Sequence, residues 1–96
     1  MLDTRTQVDE DATIRRIVDG MPPPDEVKGY NVEFGSDWEG DPAVYVWLPV
    51  DDDLRPSEEK LERVGRYKNE VRRALLDAEL LHWPFVRLRA VHPSLA

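Results

Sequence analysis

The stretch from Pro56 to Leu81 is the longest segment with a punctuated helical pattern, and any fold must give its apolar face something to cover. Pro56 cannot continue a helix backwards, the Ser57 hydroxyl can cap the first turn, and Glu58 and Glu59 stand where the helix dipole favours anions. At about 100° per residue, Leu61, Val64, Tyr67, Val71, Ala74, Leu75, Ala78 and Leu81 share one broad face, which predicts a sheet beneath it. Glu59–Arg63, Glu62–Arg66, Arg66–Glu70 and Arg73–Asp77 are spaced i,i+4 and mark a solvated flank. Lys68 falls within the apolar face, where its stem packs and its ammonium stays wet. Leu76 and Leu80 lie roughly 90° or more from the centre of that face. If the helix runs through both, they form an exposed apolar ridge beside Arg72 and Arg73, a candidate partner contact. If it ends earlier, Leu80 folds back under the Trp83–Pro84 turn.

Upstream, residues 1–8 are polar and aperiodic and are expected to form a flexible arm, leaving residues 9–96 as a single domain. A short helix is expected from about Asp11 to Asp19, capped by Asp9 or Asp11, with Ile14, Ile17, Val18 and Met21 on its stripe and Gly20 as the stop. Pro22, Pro23 and Pro24 form a stiff connector. From Val27 the period becomes two: Tyr30, Val32 and Phe34 alternate with Asn31 and Glu33, as in a strand with one buried face. Gly35 to Pro42 reads as a hairpin loop, and Ala43 to Val50, apolar on both faces, reads as a central strand whose pairing ends at Pro49. Pro84 to Val91 supplies a third strand. The fold class is therefore α+β: a small α-β-β-α-β domain, ferredoxin-like or KH-like, with a three-stranded sheet and both helices on one face.

With Val44, Val46, Leu48, Val32, Phe34, Val86 and Leu88 turned to the core, alternation sends Tyr45, Trp47, Phe85, Arg87 and Arg89 outward beside Asn31 and Glu33. Three uses of such a face compete. It can stack unpaired RNA bases, although no RNP-type octamer is present. It can be locally satisfied, with Glu33 paired to Arg87 or Arg89 and arginine stems lying over the rings. It can be an interface with a protein partner or a second copy, since Trp, Tyr and Arg anchor interfaces.

Charge bears on that choice. The 96-residue chain is net −7, but residues 1–54 carry 4 basic and 14 acidic residues and residues 55–96 carry 9 and 6. An acidic balance disfavours phosphate binding and favours a basic partner. The absence of cysteine excludes disulfides, thiol nucleophiles and Cys-based zinc sites. No apolar run approaches the roughly 18 residues of a membrane span, and the N-terminus lacks the pattern of a signal peptide, so a cytoplasmic protein away from membranes is expected.

Few residues suggest catalysis. Asp37, Glu39 and Asp41 with the run Asp51, Asp52, Asp53 are weak candidates for a hard cation, without EF-hand spacing. Gly35-Ser36 followed by that run lacks the intervening helix of a nucleotidyltransferase site. His82 and His92 have no nucleophile nearby in sequence and each flanks a turn, which suits structural roles. No catalytic residue and no cofactor is assigned.

The α-β-β-α-β order with an acid-ended second strand is similar to the C-terminal cytoplasmic domain of cation diffusion facilitators, a small module that dimerises. The metal-binding histidines of that family have no clear counterparts here, so only the topology carries over and metal transport is not implied. GDPAVYVWLPV (Gly40 to Val50) with WPFVRLR (Trp83 to Arg89) resembles a group of short prokaryotic proteins with a Gly-Asp-Pro-Ala strand and a late Phe/Trp-Pro-x-Val-Arg strand. Such proteins look like one half of two-gene operons whose other half can be a HEPN-type protein, a class that includes RNase toxins. The resemblance implies a non-enzymatic antitoxin-like or accessory subunit, with Tyr45, Trp47, Phe85, Arg87, Arg89, Leu76 and Leu80 as partner-binding candidates.

Overall fold

A computed structural model describes residues 4–51 and 58–91, with side chains for 6–50 and 58–90. The element order is α1 (Thr4–Asp19), β1 (Asn31–Ser36), β2 (Pro42–Asp51), α2 (Glu58–Asp77) and β3 (Trp83–Val91). Ser57, Asp52, Asp53 and His92 lie outside the described residues, as does the side chain of Asp51. The sheet order is β1-β2-β3, so the strand that is apolar on both faces is central, as expected. β1 pairs with β2 antiparallel and β2 with β3 parallel; the parallel pair requires a crossover, which α2 supplies.

Both helices cover the same sheet face. Ile14 and Val18 of α1 and Val64, Tyr67, Val71 and Leu75 of α2 close on Val44, Val46, Leu48, Val50 and Val86 as one buried cluster. Polar contacts fix the helices in place. The Tyr67 hydroxyl donates to the Met21 carbonyl at 3.0 Å, and the Tyr30 hydroxyl donates to Asp19 Oδ1 at 2.8 Å. Burial, with Tyr30 and Glu70 nearby, pushes the Tyr67 phenol above its usual range. Arg63 donates through Nε and its guanidinium to both oxygens of Glu26, at 3.1 and 2.8 Å. Those two hydrogen bonds hold the Glu26 carboxyl below the usual carboxylate range. Arg63 thus takes a partner 37 residues away rather than Glu59, one turn before it.

Several boundaries depart from expectation. α1 begins at Thr4, not near Asp11, so part of the stretch set aside as an arm is helical. The β1–β2 loop shrinks to residues 37–41, closed by Asp37: its Oδ1 accepts the N–H groups of Glu39 and Asp41, and its own N–H donates to the Asp41 carbonyl. Gly40 completes that loop with φ 88°, a conformation that suits glycine. Pairing does not end at Pro49: the β2–β3 register runs through Pro49↔Arg89 to Asp51↔Val91. The Pro49 carbonyl accepts from Lys28 N–H, so the missing donor of Pro49 faces away from β3.

α2 stops at Asp77 and does not reach Leu81. Ala78 and Glu79 close back on Leu75 and Leu76, and Glu79 takes φ 54°, which ends the helix. Leu81, expected in the core, is 62% exposed as a result, and Leu61 at the start of the helix is also exposed. Leu88 is 39% exposed although its neighbour in register, Leu48, is fully buried, because β3 is an edge strand. No helix of the described residues is long and apolar enough to cross a membrane.

Candidate protein interface on the outer sheet face

The register builds the outer face row by row. Glu33, Tyr45 and Phe85 stand abreast, followed by Asn31, Trp47 and Arg87, and then by Pro49 with Arg89. Alternation along each strand turns these side chains away from the helices. The Tyr45 and Phe85 rings stack at 5.2 Å between centroids and 16°, and Tyr45 and Trp47 at 6.3 Å and 18°. Trp38, carried by the loop, leans on Phe85 at 6.0 Å. The result is a continuous aromatic run across two strands and a loop.

Arginines sit on this run. Arg89 lies 4.4 Å from the Trp47 ring centroid and Arg87 lies 5.5 Å from that of Phe85, each contact worth about 0.5–1 kcal/mol where exposed. The expected pairing of Glu33 with Arg87 or Arg89 does not form. β1 and β3 are the two edge strands with β2 between them, so the arginines take rings instead. The Tyr45 hydroxyl donates to the Ser36 carbonyl at 3.1 Å, which ties the face to the loop. Trp47 Nε1 is buried and has no hydrogen-bond partner among the described residues. A buried donor without an acceptor costs about 1–3 kcal/mol.

Tyr45, Trp47, Phe85, Arg87 and Arg89 are thus brought together, while the two leucines are not. Leu80 follows the end of α2 and packs against the core cluster, so the Leu76–Leu80 ridge does not exist. Leu76 is partly buried on α2 beside Arg72 and Arg73, at an open cavity on the helix side. Trp38 and Trp83 belong to the region of the outer face although sequence reasoning does not find them; they are 80% and 52% exposed. The signal for Trp38 is its place in a short acidic loop beside the strand that carries Tyr45 and Trp47.

Among the described residues no group of three His, Asp or Glu side chains converges in a way that could hold a metal ion. His82 is buried, its Nδ1 2.7 Å from Glu10 Oε1 and its ring edge-on to Phe34 at 4.9 Å. Glu10 also accepts the backbone N–H groups of Leu81 and His82. Burial pushes the Glu10 carboxyl up, but the hydrogen bonds from Leu81 N–H, the His82 ring and His82 N–H together outweigh it and hold it below the usual range. The pair pins α1 to the turn before β3. No protein-family model matches the chain, and no match is found among the curated proteins or the solved structures.

Proposed function

We propose that the chain is a non-enzymatic, cytoplasmic protein-binding subunit, an antitoxin-like or accessory partner of a larger basic protein, docking through the outer sheet face. The observation that carries this reading is the aromatic run Trp38–Phe85–Tyr45–Trp47 with Arg87 and Arg89, set on the face that neither helix covers. These residue types anchor interfaces because each offers a large rigid or planar surface at low entropic cost. The two segments behind the resemblance, Gly40–Val50 and Trp83–Arg89, pair directly from Ala43↔Trp83 to Pro49↔Arg89, so one surface would carry both. The acidic balance of residues 1–54 favours a basic partner over nucleic acid.

The test is to express the tagged chain at native level with the product of its neighbouring gene and to weigh the purified material by native mass spectrometry. A stoichiometric complex of the two is expected. A lone monomer or homodimer overturns the accessory-subunit reading.

A further inference from the structure

We propose that the cleft at the loop end of the outer face binds an arginine side chain presented by the protein partner. The inference rests on the protein-binding reading and names the chemistry of one contact within it. The cleft is an open cavity of about 420 Å³ whose walls include Asp37, Trp38, Asp41, Leu81, Trp83 and Phe85. Its size falls within the roughly 300–1,000 Å³ of small-ligand sites.

Elsewhere on this face the chain supplies its own cations: Trp47 is covered by Arg89 and Phe85 by Arg87. Of the rings without such a cation, Tyr45 is stacked on both Trp47 and Phe85, which leaves Trp38 and Trp83. Both are more than half exposed, and no cation of the described residues lies over either ring. The acids of the cleft are also incompletely used. Asp37 commits Oδ1 to the N–H groups of Glu39 and Asp41, which leaves Oδ2 available, and the Asp41 carboxylate accepts no hydrogen bond from the described residues.

Two open indole faces beside two carboxylates on an acidic loop match a cation that is both planar and a multiple donor. A guanidinium meets both needs: it stacks on aromatic faces, donates in a fork to carboxylates, and sheds water more readily than an ammonium. The occupant therefore has the charge opposite to that of the loop, in keeping with a basic partner. The rigid turn that Asp37 and Gly40 build holds Trp38 over the cleft before anything binds, which lowers the ordering cost of binding.

The experiment follows the three indole N–H signals, from Trp38, Trp47 and Trp83, in two-dimensional NMR spectra of the intact protein during titration with N-acetyl-arginine methylamide. The neutral isostere N-acetyl-citrulline methylamide is the control. The Trp38 and Trp83 signals should move saturably with arginine while Trp47 holds still, and citrulline should move none of them. In the D37N/D41N protein, where the amide oxygen introduced at the first position keeps an acceptor for the turn, arginine affinity should fall about tenfold. Citrulline acting as strongly as arginine, or arginine leaving Trp38 and Trp83 in place, overturns the cleft as a guanidinium site. The two readings fail separately: a silent titration removes the cleft while capture of the partner can stand, and absence of a complex removes the interface while the titration still reports on the cleft.

Discussion

Glu10 places a carboxylate where an ordinary amphipathic helix places an aliphatic side chain. Glu10, Ile14 and Val18 are spaced i,i+4 and all three are buried. Removing the carboxylate in Glu10→Ala strips the acceptor from the His82 ring and from two backbone donors, so urea denaturation should show a loss of about 2–3 kcal/mol. The pH dependence follows from the lowered Glu10 carboxyl. A carboxylate whose folded pKa lies below its unfolded value stabilises fully above that unfolded value, roughly 4.3, and less as pH falls through the folded one. Thermal melts should therefore show the wild type losing stability more steeply than Glu10→Gln below about pH 4. The same residue explains why the start of α1 was not legible: a glutamate on the stripe one turn before Ile14 erases the apolar period, and nothing in Thr4–Val8 restores it. Arg63 was misplaced for a related reason. A local partner at i−4 is visible in any sequence, whereas Glu26 becomes its neighbour only once the chain has folded.

At the scale of elements, β2 was legible because its two faces are both apolar and its neighbours alternate, which fixes a central position and an orientation together. The faces of Tyr45, Trp47, Phe85, Arg87 and Arg89 followed from alternation alone. Helix ends were harder, since the stop of α2 depends on Glu79 adopting a left-handed conformation that a glutamate does not announce. A β-carbon there costs about 1 kcal/mol, so Glu79→Gly should stabilise the protein by about 0.5–1 kcal/mol in chemical denaturation. The edge position of β3 separates two leucines that share one register. Leu48→Ala should cost about 2–5 kcal/mol in the same assay and Leu88→Ala less than about 1, because only the first leaves a cavity in packed core. Equal costs would mean that the β3 edge is covered.

For the whole molecule, the architecture divides labour between two sides of one sheet. The helices and the inner face make the core, and the outer face holds aromatic rings and arginines that the core does not need. Charge is divided as well, with the acidic excess in residues 1–54 and a basic excess in 55–96. Association with a basic partner should therefore slow as salt is raised, with the dissociation rate changing less, as stopped-flow measurement would show. The measurement that bears most directly on the outer face as an interface compares wild type and Arg87→Ala in two assays, complex formation with the captured partner and urea denaturation of the isolated chain. Arg87 is exposed and meets the Phe85 ring across 5.5 Å, so its truncation should move the fold by no more than about 1 kcal/mol while weakening the complex about tenfold or more. An Arg87→Ala protein that binds as the wild type does, or that no longer folds, would contradict the assignment of this face to a partner.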